Sequence, residues 1–383
     1  MKILITGGHL TPALAVIDYI QSSHPDDEIL YCSRYYSQYR LKQLSIEKQE
    51  IDLRGVPYLV IPNPPRLNSI IKFWLWPSIV WNLIKSTKAT GKLLQKHQPD
   101  AILSFGSYVA IPICIAAKLK KITIVTHEQT LVVGLSNQII AKLADIVATG
   151  FKQTKKNFSQ SKAVYVGNPL RMNRKDLKLK KPKWFVSEKN KPILLFLGGN
   201  QGSLFLNTFV KNNLEEMLNE YIVVHACGKA TKEHDYYSEL THHSRHIIGD
   251  KRKNYYCHEW ISKEDLQWIY QNTFVCISRS GANTVLELTE MQVPAIYVPL
   301  PHSRYSEQTL NANWAVKQKA ALMVNQADFD YGTFQISMDK INEDYKKIKK
   351  NLEKIDLPDN SAERIYKLLS RSIRSYEKKK KAS

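Results

Sequence analysis

Residues 2–20 read Lys-Ile-Leu-Ile-Thr-Gly-Gly-His-Leu-Thr-Pro-Ala-Leu-Ala-Val-Ile-Asp-Tyr-Ile. The run Lys2–Thr6 has the short, β-branched pattern of a buried strand, and Gly7 and Gly8 then break it. Thr11 is expected to cap a helix that Pro12 opens at its first position, with Ala13, Leu14, Ile17 and Ile20 forming its apolar face. A strand, a glycine turn and a helix in this order are the opening unit of a nucleotide-type α/β fold. Glycines allow close approach of a ligand to the backbone, and the free N–H groups of a first helical turn attract phosphate or a developing anion. His9 sits at that turn. Its neutral imidazole suits proton abstraction from a hydroxyl, which makes it the candidate general base, although the motif alone equally fits a histidine that only caps a turn.

The same logic recurs along the chain. KILIT, AILSF (101–105), ITIVT (122–126) and DIVAT (145–149) are followed by ILLFLG (193–198), YIVVHA (221–226), FVCISR (274–279) and PAIYVP (294–299), each alternating with helix-period segments. Such alternation implies parallel sheets covered by helices. At 383 residues the chain exceeds a single core. The fold class expected is therefore α/β, with two Rossmann-like domains whose parallel sheets are separated by a cleft. The boundaries expected are 1–168 for the first domain, 169–192 for a lysine-dense linker or inserted loop, 193–350 for the second domain, and 351–383 for a C-terminal helix and basic tail. Ser361 is the expected cap of that last helix.

Composition narrows the partners. Lys and Arg total 55 against 35 Asp and Glu, a net charge of +20, which points to a polyanionic partner: nucleic acid, anionic lipid or a phosphorylated substrate. The basic residues are dispersed and match no nucleic-acid module, so nucleic acid is not expected. The five cysteines are scattered without ligand spacing, which suggests reduced cytosolic thiols and neither a disulfide framework nor a metal site. The N-terminal run is interrupted by Gly, His and Pro and does not read as a signal peptide. Residues 70–84 are too short and too interrupted to span a bilayer, so any membrane contact should be peripheral. Around them Ile71, Phe73, Trp74, Trp76 and Trp81 interleave with Arg66, Lys72, Lys85, Lys88 and Lys92, a composition of membrane interfaces and equally of an ordinary amphipathic core helix.

Further polar residues fall where parallel strands end. Gly106, Ser107 and Tyr108 follow one strand and His127, Glu128 and Gln129 another; the carboxylate of Glu128 suits binding of hydroxyls or orientation of a base, and also plain helix capping. In the second half, Gly198, Gly199, Asn200, Gln201 and Gly202 form a turn that resembles a phosphate cradle without the lysine of a P-loop. Ser280 and Gly281 begin a helix that carries Glu287 two turns in, where a carboxylate fits a ribose diol or a surface ion pair. The loop after PAIYVP brings His302, Arg304, Glu307 and Gln308 to the next helix.

Taken in order, TGGHLTPALAV, FGSYVAIP, THEQ, VGLSNQIIAKLA, VGNPLR, LGGNQG, SRSGANTVLEL and VPLPHSRYSEQTLNA resemble the MurG enzymes of glycosyltransferase family 28 over roughly residues 1–325. The resemblance implies the GT-B fold and an inverting, metal-independent transfer of N-acetylglucosamine from UDP-GlcNAc, a substrate rather than a cofactor, to lipid I, forming lipid II. It implies a peripheral enzyme on the cytoplasmic side of the cell membrane, partnered by an anionic membrane surface and by other cell-wall synthesis proteins. Carried over by motif, His9 and Glu128 are catalytic candidates, and Gly8, Tyr108 and Glu128 face the acceptor. Arg171, Asn200, Gln201, Ile261, Ser280, Gly281, Glu287 and Gln308 face the donor. This chain departs from the family in a shortened first glycine loop, in Asn200 for a serine and in Thr130 for an asparagine. Other readings of the same fold are a glycolipid glycosyltransferase, a UDP-GlcNAc epimerase, or a UDP-sugar-binding scaffold without turnover.

Overall fold

The computed structural model describes residues 1–382 except 39–42, 63–75, 173, 175–179, 188–190, 200, 201 and 231–233; the side chains of 36–38, 43, 44, 46, 76, 304 and 377–382 are also outside the description. Two compact units result: residues 1–171 together with 358–383, and residues 172–357.

The first unit contains β1 (Lys2–Gly7), α1 (Leu10–Ser23), β2 (Glu28–Ser33), the short antiparallel pair β3 (Tyr36–Gln38) and β4 (Gln43–Leu44), α2 (Ile46–Asp52) and β5 (Tyr58–Val60). It continues with α3 (Trp76–His97), β6 (Ala101–Phe105), α4 (Ala110–Leu119), β7 (Thr123–Glu128), α5 (Leu135–Leu143), β8 (Ile146–Thr149) and β9 (Ala163–Tyr165). Seven strands form one parallel sheet in the order β5-β2-β1-β6-β7-β8-β9. β1 lies between β2 and β6, so the chain reverses its direction of sheet growth at the β1/β6 edge, the place where open α/β sheets bind ligands beyond their carboxyl ends. Ile3, Leu4 and Ile5 are all fully or almost fully buried, as a strand covered on both faces requires.

The second unit has β10 (Ile193–Leu197), α6 (Leu204–Glu220), β11 (Ile222–Ala226), α7 (Tyr236–Ser244), β12 (Tyr255–His258), α8 (Lys263–Asn272) and β13 (Thr273–Ser278). After these come α9 (Ala282–Glu290), β14 (Ala295–Tyr297), α10 (Glu307–Lys317), β15 (Ala321–Met323) and α11 (Tyr331–Lys354). Its parallel sheet runs β12-β11-β10-β13-β14-β15, with the same reversal at β10/β13. In the stretch expected to be a linker, Trp184 donates its indole N–H to Asp265 at 2.8 Å, and Phe185, 5% exposed, stacks on Tyr256. Both therefore pack with this unit's core.

The last helix, α12 (Ser361–Ala382), belongs to the first unit. Ile365, Leu369 and Ile373 recur every four residues, which places them on one face, and they join the core built by β1, β6 and α1. Tyr366 stacks on His24 with ring centroids 3.9 Å apart and donates its hydroxyl to Asp27 at 2.7 Å.

Two caps differ from the sequence reading. Helix α1 starts at Leu10 with His9 as its cap residue, so Thr11 lies inside the first turn and Pro12 one step further in. Proline is tolerated there because the amides of that turn have no partner within the helix. Ser361 is likewise within α12, its hydroxyl donating to Pro358 O at 3.1 Å.

Leu369 is fully buried, so Leu369→Ala is expected to lower the unfolding free energy of the protein by about 3 kcal/mol, read by denaturant titration.

Candidate active site

In the first unit the site grows from two turns at the carboxyl ends of adjacent strands. Gly8 follows β1 and Ser107 follows β6; a Cβ on Gly8 would lie 2.6 Å from Ser107 Cβ, so only glycine lets the turns touch. Tyr108, next in the second turn, accepts a hydrogen bond on its hydroxyl from Arg34 Nη1 at 3.0 Å, and Arg34 is itself 3.8 Å from Glu47. His9 follows Gly8 directly, half-buried at the head of α1, and its side chain makes no capping bond. Its Nδ1 is instead 2.6 Å from Gln129 Nε2. Burial holds the His9 imidazole below its ordinary pKa, while the charge of Glu128 works in the opposite direction.

Glu128 is only 2% exposed and both its oxygens are occupied. Oε1 accepts from the Thr130 amide at 2.9 Å and the Thr130 hydroxyl at 2.8 Å; Oε2 accepts from Asn137 Nδ2 at 2.9 Å and the Gly134 amide at 3.3 Å. Gly134 caps α5, so the carboxylate sits at the positive end of that helix. With its lone pairs so engaged, Glu128 holds the 130–137 loop, and its charge acts on the His9 ring. Thr130, where the family resemblance leads one to expect asparagine, supplies two of the four donors. His127 is fully buried, donates Nε2–H to Gly167 O at 2.9 Å and is driven by burial to a pKa of about 4, which makes it a neutral structural group. Arg171 is half-buried, and its Nε makes no hydrogen bond among the described residues.

In the second unit, Ser280 and Gly281 follow β13, and Gln308 lies in the first turn of α10, after β14. Gly202 has φ +75°, and a Cβ there would fall 2.2 Å from Cys227 O, so the loop into α6 admits no side chain at that position. Asn200 and Gln201 of the same loop lie outside the described residues. Ser280 is fully buried and donates to Gln308 O at 2.8 Å, while Asn311 Nδ2 donates to Ser280 O at 3.1 Å. These bonds tie the start of α9 to the start of α10. Gly281 caps α9 without a side-chain bond, which leaves a helix N-terminus of the kind that binds anions. Gln308 accepts the Leu300 amide on Oε1 at 3.0 Å. Glu287 is half-buried on α9, and Ile261, 6% exposed, lies between β12 and α8.

Sequence reading overlooked Arg279. Its Nε donates to Ser203, the cap of α6, at 3.0 Å; Nη1 donates to Val298 O and Pro299 O at 3.0 and 3.2 Å; Nη2 donates to Gln326 Oε1 at 2.6 Å. The guanidinium also lies 5.6 Å from the Phe205 ring. All four hydrogen-bond acceptors are neutral, so a positive charge is fixed among the strand ends without a carboxylate in these contacts. The signal was an arginine directly after a buried strand and before a Ser-Gly helix start.

On α3, Trp81 is 67% exposed, and Val80, Ile84, Lys85 and Lys88 share the exposed surface. Trp76 begins the helix, but its side chain, together with Ile71, Phe73 and Trp74, lies outside the described residues. Among the described residues no helix is long and apolar enough to cross a membrane.

Residues 6–149 match the glycosyltransferase family 28 N-terminal domain, and residues 193–381 match the family's C-terminal domain. A UDP-N-acetylglucosamine–N-acetylmuramyl-(pentapeptide) pyrophosphoryl-undecaprenol N-acetylglucosamine transferase of Clostridium perfringens is 30% identical over 336 residues, 86% of this chain and 87% of the relative. The chain belongs to glycosyltransferase family 28, in its MurG branch. Another member of the branch with the same name, from Lactococcus lactis, is 28% identical over 379 residues, 96% of this chain and 99% of its own length. The crystal structure of Acinetobacter baumannii MurG shares the fold, with a TM-score of 0.70 at 22% identity, covering 97% of this chain and 99% of that one. The family's C-terminal domain match runs past residue 357, where the second compact unit ends, and takes in most of α12.

Glu128→Ala removes the acceptor for four donors. The expected cost is about 3 kcal/mol of stability, with faster amide hydrogen exchange at Thr130 and Gly134 than in the unchanged protein.

Proposed function

We propose that this protein transfers N-acetylglucosamine from UDP-GlcNAc to the undecaprenyl-pyrophosphoryl-MurNAc-pentapeptide acceptor, lipid I, giving lipid II with inversion at the anomeric carbon. The observation that carries the reading is the near-full-length similarity to transferases of that name, and the local geometry of both units fits it. His9 takes the proton of the acceptor hydroxyl as the oxygen attacks the anomeric carbon, and the electron pair of the breaking bond leaves on the β-phosphate of UDP. Glu128 stabilises the imidazolium by its charge. Gly8 and Tyr108 line the acceptor side.

On the donor side, the bare N-terminus of α9 at Gly281 and the fixed charge of Arg279 favour the developing diphosphate. Ser280, Asn200, Gln201 and Arg171 are the further candidates for contacts to the UDP portion. Glu287 suits the ribose hydroxyls, Gln308 the sugar and the backbone of Ile261 the uracil. No protein-bound metal is needed for this scheme.

The enzyme works peripherally, at the cytoplasmic face of the cell membrane. The exposed apolar face of α3 around Trp81, flanked by Lys85 and Lys88, enters the interface, and the net charge of +20 favours anionic lipid. Other cell-wall synthesis proteins are further partners on this reading.

Transfer of labelled GlcNAc from UDP-GlcNAc to lipid I by the purified protein tests the activity; absence of transfer to every lipid-linked acceptor would reject it. His9→Ala should lower kcat by about 10²- to 10⁴-fold. Because burial depresses the His9 pKa, the ring protonates and stops accepting a proton only below pH 6.5, so the acid limb of kcat/KM should lie below that value. Trp81→Glu should weaken binding to vesicles containing anionic lipid by at least about 5-fold in a sedimentation assay, with transfer to a short-chain soluble acceptor largely kept.

A further inference from the structure

Gln129 is placed to decide which ring nitrogen of His9 carries the proton. It is 7% exposed, and its backbone carbonyl is tethered by Asn168 Nδ2 at 2.8 Å. Its carboxamide meets His9 Nδ1 at 2.6 Å. This leaves Nε2 as the ring nitrogen available to the acceptor hydroxyl. A ring that is to accept a proton at Nε2 must carry its resting proton on Nδ1, and an Nδ1–H needs an acceptor.

The carboxamide offers two ends of the same outline. If its NH₂ faces Nδ1, the ring proton is forced onto Nε2, where it blocks proton abstraction. If the carboxamide is turned half a revolution about its last bond, Oε1 accepts from Nδ1–H and the Nε2 lone pair is free.

We infer that Gln129 is a positioning residue whose Oε1 holds His9 in the Nδ1–H tautomer, so that Nε2 is the atom that receives the acceptor proton. The inference rests on His9 being the base. In the step, the acceptor O–H bond breaks and an N–H bond forms at Nε2, the oxygen's electron pair makes the new glycosidic bond, and the pair of the old bond departs with UDP. The resulting imidazolium keeps its Nδ1–H on Gln129. Orientation and charge are thereby divided between neighbours: a neutral amide fixes the ring, and the carboxylate of Glu128 favours its protonated form through space. The remaining titratable group found to interact electrostatically with His9 is His127, whose ring stays neutral.

Long-range ¹⁵N–¹H correlation on the full-length protein with ¹⁵N-labelled histidine, with His9 assigned by the loss of its signals in His9→Asn, reads the tautomer directly. A pyridine-type Nε2 is expected at neutral pH; a protonated Nε2 would overturn the inference. Kinetics give a second readout. Gln129→Met should lower kcat on the order of 10-fold or more, with KM for UDP-GlcNAc within about 2-fold. Gln129→Glu, an acceptor only, should lose less than Gln129→Met and move the acid limb of kcat/KM up by about one pH unit, because a charge on Nδ1–H stabilises the imidazolium. Wild-type turnover in Gln129→Met, or a greater loss in Gln129→Glu than in Gln129→Met, would refute the positioning role. Full turnover in His9→Ala would remove the base reading beneath it, a failure distinct from either.

Discussion

A carboxylate almost closed off from solvent has to be matched donor for donor, and Glu128 meets that demand with two amides, a hydroxyl and a carboxamide. The match dictates much of what surrounds it. It closes the Thr130–Gly134 turn, sets where α5 begins and anchors Asn137. Asn137 in turn also donates to His127 O, at the end of β7. The same charge is the field in which His9 works. The carboxylate is thereby committed to building the loop between β7 and α5, and its charge reaches the His9 ring at the end of β1.

The second unit solves the opposite problem with the opposite charge. Arg279 also follows a central strand, and its four bonds join the cap of α6 and the chain after β14 to Gln326. Its acceptors are all neutral, so the cation is held in place without being neutralised. Two domains of similar topology thus carry a buried anion in one and a half-buried cation in the other, each at a carboxyl end of its sheet. The glycines complete the design by subtraction: Gly8 and Gly202 stand where any side chain would collide with Ser107 or with Cys227 O.

The legible part of the fold was its centre. The eight runs recognised from sequence correspond to strands β1, β6, β7, β8, β10, β11, β13 and β14, whose residues are apolar because both faces are covered. β5, β9, β12 and β15, which sit at the sheet edges, are three or four residues long, so neither length nor periodicity announced them, while β2, as apolar as the recognised strands, was overlooked. Cap positions missed by two residues at Thr11 and by one at Ser361, since a hydroxyl near a helix start serves several sites. The lysine-rich run before Ile193 hid Trp184 and Phe185, whose partners lie some 70 to 80 residues further on. In the candidate site, His9 and Glu128 stood out by residue type and position. Gln129 and Arg279 did not, because what matters in them is which atoms they meet, and a sequence does not record that.

Helix α12 has a bearing on how the molecule assembles. Tyr366 reaches Asp27 across 339 positions of chain, and Ile365 and Leu369 seal the same apolar cluster as Ile3 and Ile5. The first sheet can pair its strands early, but its core remains open to water until a segment made after the whole second unit returns to cover it. Closing so large a loop is entropically mild yet slow to search. The first unit's core is therefore completed only once the chain beyond the second unit has been made.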